Sequence, residues 1–403
     1  MGPKKKNHSS EQPTLPPNEE PTQTDADAPW KKPEESPTDP DTDVPWKKPE
    51  DPEGPVITEM LKLFLCLMMF MFGPPVFASS PPVVSIVSSH ASDSTNLNLQ
   101  EIRSMVQSAI NLVGGLQSFI KNGNTVVIKP NLVATRDLND QLLTKEANGV
   151  TTDWRIVKVL SEMIREINPK GKILLMEGSA QNSTDETMKY YNYGPQSMPA
   201  IDEFIALENS SGAWHAPNSP ELIRVPLKEG LLQKEYYLNR RFKQAEVVIS
   251  VPVLKTHWDA VITGAIKNLA IGAAPPSMYA EQEGSAYHGS AISHERPQLN
   301  NWIHDFYLCR KADFAIMDGL QGIQNGPLPS TEKDRMNMRL ILASREPIAL
   351  DSVAAQVMMI NPDSIIYLHE LAKSESINLS KIIVKGESID AVKKQFSVRL
   401  PPK

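Results

Sequence analysis

Cysteine is nearly absent: the 403 residues contain two, Cys66 inside an apolar run and Cys309 far from it. Two thiols cannot build an iron–sulfur cluster or a zinc knuckle, and they exclude a disulfide framework. The common cofactor and nucleophile signatures are missing as well. There is no Gly-x-Gly-x-x-Gly fingerprint, Walker loop or Gly-x-Ser-x-Gly elbow, so dinucleotide oxidoreduction, P-loop hydrolysis and serine hydrolysis have no support. Nor is there a basic field. The formal net charge of -7 comes from residues 1–59, which hold 7 Lys and Arg against 14 Asp and Glu, and the rest of the chain carries 34 of each sign. Nucleic acid is therefore not an expected partner.

What is present begins with that tail. Residues 1–59 hold 13 of the 34 prolines, many acids and almost no aliphatics, so they cannot bury enough surface to offset ordering entropy and are expected to be disordered. Within them residues 25–34 return as 41–50, a repeat with a 16-residue period that presents Trp30 and Trp46 among prolines. The repeat reads either as a recognition site for a protein partner or as a duplicated low-complexity spacer. Residues 60–80 follow, with an uninterrupted apolar run at 63–72 ended by Gly73-Pro74-Pro75. Ten such residues are about half of what a ~20-residue membrane helix needs, and they suit the core of a signal peptide. Ala78-Ser79-Ser80 has the small-residue form of a cleavage site. Translation from Met60 with export, or membrane attachment through 60–77 from Met1, would each make the protein extracytoplasmic or membrane-anchored. A buried core helix is opposed by the Gly-Pro-Pro that follows.

Residues 81–403 read as an α/β domain with a mostly parallel sheet flanked by helices. Strands are expected at 83–87, 125–128, 172–176, 247–251, 314–317 and 338–343, with helices at 99–113, from 154 onward, at 298–311 and at 348–359. Strand, helix and strand between 125 and 176 make a βαβ unit, which implies parallel pairing and a right-handed crossover. Residues 181–241, where the pattern weakens and Tyr and Trp accumulate, are expected to form an insertion or lid. Residues 271–294, rich in Gly, Ala, Pro and Ser, read as a segment able to close on a ligand.

The densest polar chemistry follows the strand at 247–251, which Pro252 is expected to stop. Lys255, Thr256 and His257 come directly after it, and Thr263, Gly264, Lys267 and Asn268 within one more turn. Lys129 and Asn131 follow the strand at 125–128 in the same way. In an open α/β sheet ligands bind at the carboxyl ends of strands. Three lysines beside amides and glycines suit an anionic ligand, a phosphate or a carboxylate. His257, His288 and His294, with Glu177 and Asp318, offer enough imidazole and carboxylate for acid–base chemistry or for a divalent metal, but no His-x-x-x-His pair anchors one. The candidate catalytic residues are thus His257, Asp318 and His294, and the cofactor is unspecified. Asp351, placed at the start of a helix, reads as an N-cap.

These segments carry a recognisable order. Val127-Ile128-Lys129-Pro130-Asn131, the run 247–257 ending in Lys255-Thr256-His257, Thr263-Gly264-Ala265-Ile266-Lys267-Asn268, His294, Asp318-Gly319 with Gly326-Pro327, and the stretch 349–354 around Asp351 together resemble the domain of unknown function 362 (DUF362) family. The resemblance spans about 126–372 and implies a shared α/β fold and a shared polar site, without an established activity. Many relatives resemble fusions with a ferredoxin-like module, which the two cysteines here cannot supply. Three functions follow for this chain: an enzyme acting on an anionic small molecule or envelope metabolite, a non-catalytic protein capturing the same ligand, or a redox protein working with an external iron–sulfur partner.

Overall fold

Runs of Val and Ile build the middle of the molecule. The computed structural model describes residues 80–399 except 180, 289, 290 and 296, so the tail, its repeat and the apolar segment 60–79 lie outside the described residues. In chain order the elements begin with β1 (Val83–Ser88), α1 (Leu99–Leu112), β2 (Thr125–Lys129), α2 (Trp154–Ile167), β3 (Lys172–Glu177), α3 (Thr184–Tyr190) and β4 (Glu203–Ala206). Then come β5 (Leu222–Pro226), β6 (Glu235–Asn239), α4 (Arg240–Gln244), β7 (Val247–Ser250), β8 (Val253–His257), β9 (Val261–Ile262), α5 (Gly264–Gly272) and α6 (Pro276–Tyr279). The chain closes with α7 (Gln298–Cys309), β10 (Phe314–Ile323), β11 (Arg335–Ser344), α8 (Pro347–Val357), α9 (Ile366–Ser374), β12 (Ile383–Gly386) and α10 (Ile389–Val392).

The main sheet runs β12-β1-β11-β10-β7-β2-β3-β4. Pairing is parallel from β10 through β7, β2 and β3 to β4, and antiparallel where β11 joins β10 and β1. It is the expected α/β sheet, mostly parallel, with an antiparallel flank. Because strand side chains alternate, Val126 and Ile128 pack with α1 and α2 on one face, through Ile102, Val106, Ile156 and Leu160. Val127 points the other way, to the layer holding Leu269 of α5, Trp302 of α7 and Val353 of α8. Each fully buried Val or Ile side chain adds about 1.5–3 kcal/mol of transfer free energy. The central strands are buried on both faces, which is why their sequences are continuous apolar runs.

Helix starts are chemically specified. Asn98 caps α1 in a reciprocal box with Glu101, and Asp153 accepts the N–H of Arg155 at the start of α2. Among the described residues no helix is long and apolar enough to cross a membrane.

Three expectations are corrected. Strand β7 ends at Ser250, before Pro252 as expected, but the break is short: the Pro252 carbonyl accepts the Asp318 N–H at 2.8 Å and the chain resumes at Val253 as β8 beside β10. Lys255, Thr256 and His257 therefore do not merely follow a strand but lie in a second, buried one. Likewise β10 continues past Asp318 to Ile323. Residues 181–241 do not form one insertion, because β4 completes the parallel sheet and Tyr191 and Tyr193 sit in the core; only β5 and β6 make a separate two-stranded sheet.

Candidate functional site

Strands β2 and β3 of the parallel run, with β8 paired beside β10, bring their carboxyl ends to one cavity of about 370 Å³. Its wall takes Asn131 after β2, Glu177 and Gly178 at the end of β3, and Lys255 and His257 from β8. Thr263, Lys267 and Asn268 enter from the start of α5, and Tyr287, His288 and His294 from the segment between α6 and α7. Position and residue type agree with the ligand crevice of an open α/β sheet.

A buried ion pair supports the floor. Lys129 Nζ lies 2.6 Å from Glu177 Oε1 and also donates to the Pro130 carbonyl at 2.8 Å. Glu177 in turn accepts the N–H groups of Leu132 and Gly178. Burial pushes the Lys129 ammonium down and the Glu177 carboxyl up, against the attraction between them. Gly272 leaves the space they occupy, since a Cβ there would lie 2.5 Å from Lys129 Nζ. Lys129 is thus committed to Glu177 and does not line the cavity. Glu177, a candidate carboxylate for acid–base chemistry or a metal, is instead the ion-pair partner of a lysine 48 residues away, a pairing that the sequence does not reveal.

The other two lysines differ. Lys255 is 1% exposed and donates to the Val150 carbonyl at 2.6 Å. Burial, reinforced by the neighbouring Lys267 charge, drives its ammonium well below the ordinary lysine range. Lys267 is lowered to about 8 by burial, with Asp259 acting in the opposite direction. Among the described residues neither lysine has a carboxylate within ion-pair distance.

The imidazoles line the same space. His257 and His294 stack with ring centroids 6.3 Å apart. His257 Nδ1 accepts the Asp259 N–H at 3.2 Å, so its neutral ring carries the proton on Nε2, while His294 Nδ1 faces the Ile292 carbonyl at 2.9 Å. His288 is held neutral, with burial lowering it to about 4. Among the described residues no group of three or more His, Cys, Asp or Glu is placed to hold a metal ion.

Four buried side-chain atoms lack a hydrogen-bond partner among the described residues, and three of them belong to residues that line this cavity: Asn131 Oδ1, Thr263 Oγ1 and His288 Nε2. Such atoms are rare in folded proteins, and three of them at one cavity leave three hydrogen-bonding positions open to whatever fills it.

Besides Lys129, three more expected site residues lie elsewhere. Thr256 points to the opposite face of β8 from Lys255 and His257, where its hydroxyl accepts the Gly326 N–H. Asp318 is off the cavity wall: its two oxygens accept the N–H groups of Asp153 and Leu320, and burial with the adjacent Asp153 charge raises it to about 7. Gly264 serves packing. It sits at φ +59, and a Cβ there would collide with the Asp351 carboxylate, which accepts the N–H groups of Ala265 and Ile266. Asp351 is therefore not the N-cap of its own helix, a place that Glu346 takes; from within α8 its carboxylate accepts the first N–H groups of α5. That carboxylate also occupies the α5 start that an anion would otherwise use. Trp258, Asp259, Gln181 and Tyr287 line the cavity without having been singled out.

A fold of this kind, with lysine and histidine at the carboxyl ends of parallel strands, defines an α/β protein with a polar crevice site. The chain belongs to the DUF362 family, a domain of unknown function whose family model matches residues 126–356. It is similar to the thylakoid-associated protein sll1697 of Synechocystis sp., 24% identical over 283 residues, 70% of this chain and 76% of that protein. Among solved structures it is similar to the lactate racemase apoprotein from Thermoanaerobacterium thermosaccharolyticum, with a TM-score of 0.40 and 12% identity. That match covers 71% of this chain and 59% of the other.

Proposed function

We propose that this protein binds an anionic small molecule, bearing a phosphate or a carboxylate, in the cavity at the ends of β2, β3 and β8, and acts on it there. One observation carries the reading: Lys255 and Lys267 are both buried on the wall of one cavity, and neither is ion-paired among the described residues. Two ammonium groups so placed repel each other and have lost hydration that the more distant carboxylates of Asp259, Glu177 and Asp318 offset only in part, so an anion between them recovers energy. In this reading Lys267 is the principal charge contact and His257 moves a proton on the bound molecule. The alternative, a non-catalytic protein that only captures the ligand, uses the same cavity and differs in showing no turnover.

We place the protein outside the cytoplasm or at a membrane. The apolar run 63–72 and the small residues after it support this, as does the name of the thylakoid-associated relative.

The test is a thermal-shift screen of phosphorylated and carboxylated small molecules against the wild type and Lys267→Met. At least one compound should stabilise the wild type by several degrees and leave the variant unmoved; shifts shared equally by both proteins would contradict the reading. Turnover of that compound, followed by NMR, separates enzyme from binding protein.

A further inference from the structure

The orientation of one side-chain amide states what else the ligand must carry. Ser250 Oγ donates to the Ala265 carbonyl at 3.0 Å, so towards Asn268 it acts as an acceptor. Asn268 Nδ2 therefore faces two acceptors, Ser250 Oγ and the Lys129 carbonyl, each at 3.1 Å. This turns Asn268 Oδ1 towards Lys129 Nζ at 3.4 Å and Asn131 Nδ2 at 3.1 Å. Asn131 has no rotational choice left: its nitrogen is used, and its Oδ1 is presented as an acceptor. That oxygen is buried and has no partner among the described residues. Thr263 Oγ1 and His288 Nε2, on the same cavity wall, are orphaned too. A hydroxyl can serve as donor or acceptor, and so can a neutral imidazole according to its tautomer; a carbonyl oxygen can only accept.

We propose that the anion bound here also carries a hydrogen-bond donor, a hydroxyl or an N–H group, that pairs with Asn131 Oδ1: the ligand class is a hydroxylated or aminated acid or phosphate ester rather than a bare one. The inference rests on the anion-binding reading above and adds a second point of recognition. A bare acid or ester that displaced solvent from the cavity would leave Asn131 Oδ1 buried and unpaired, which weakens binding. Sites built to pair a substrate hydroxyl reject the analogue lacking it far more strongly than apolar pockets reject a missing methylene.

The experiment compares matched probes on the full chain by calorimetry: glycerate against propionate, and glycerol 3-phosphate against propyl phosphate. The wild type should bind the hydroxylated member of a pair about tenfold or more tightly than its partner. Asn131→Leu should bring the two to within about twofold by weakening only the hydroxylated one. Equal binding of both members by the wild type overturns this inference while leaving the anion reading intact, and needs no variant to fold. If neither hydroxylated nor bare compounds bind, the anion reading fails and takes this inference with it. A preference that survives in folded Asn131→Leu would also overturn the assignment to Asn131.

Discussion

Lys267 bears on function and stability in opposite senses. Its ammonium titrates near 8 in the folded protein against an ordinary 10.5, because burial penalises the charge. The unfolded chain therefore holds more protons between these values, and the contribution of this group to stability rises as pH climbs from about 8 to about 10.5. Below 8 the penalty is complete. Lys267→Met should stabilise the ligand-free protein by about 3 kcal/mol at pH 7, with the gain vanishing by about pH 10.5, while abolishing anion binding. Urea denaturation at the two pH values measures the first effect and calorimetry the second. Glu177 behaves in the contrary way. Glu177→Gln removes the only carboxylate within ion-pair distance of Lys129 among the described residues, leaving a buried charge, and should cost about 3–5 kcal/mol in denaturant unfolding. Adding Lys129→Met to that variant should restore most of the loss, since an apolar replacement leaves no charge to compensate.

At the scale of elements, the start of α5 decides whether Thr263, Lys267 and Asn268 reach the cavity. Asp351 of α8 holds the N–H groups of Ala265 and Ile266, and Gly264 turns at φ +59 to admit that carboxylate. Gly264→Ala adds both backbone strain and a collision, and should destabilise by about 1–3 kcal/mol or more and weaken ligand binding together. Asp351→Ala should do the same by leaving two buried donors unpaired. Burial raises the Asp351 carboxyl to about 7, so the folded state holds its proton longer than the unfolded chain, and this group's contribution to stability falls as pH rises from about 4 to 7. The elements themselves were legible where the physics is local. The β-branched runs of β2 and β7 and the apolar stripes of α1 and α2 could be read directly. Pro252 marks the end of β7 but gives no sign of β8 beyond it, because a missing donor says nothing about its carbonyl, and β10 was cut short because polar Asp318 and Gln321 sit within a strand paired on both sides. The clamp from Asp351 to α5 joins residues 86 apart and exists only once α8 packs against α5.

Across the whole molecule, the order of the sheet is what unites the site. Asn131, Glu177, His257 and Lys267 are scattered over more than a hundred residues, and only the parallel pairing of β2 with β3 and β7, continued by β8, brings their segments to one rim. The sequence indicated which residue types follow strands, and Lys255, His257, Lys267, Asn131 and Asn268 do share a cavity. It did not reveal that Lys129 is consumed by Glu177, that Thr256 faces away, or that Asp318 is bound to the start of α2. Those facts depend on strand alternation and on contacts between distant segments.

The most direct measurement of the central claim is the melting temperature of the wild type and Lys267→Met in rising inorganic phosphate at pH 7 and pH 9.5. General salting effects of phosphate act on both proteins alike, so the difference between them isolates the site. The wild type should gain several degrees over the variant at pH 7, and the gap should shrink at pH 9.5, where the Lys267 amine has lost its proton. Equal gains in both proteins at pH 7 would contradict anion binding at this cavity.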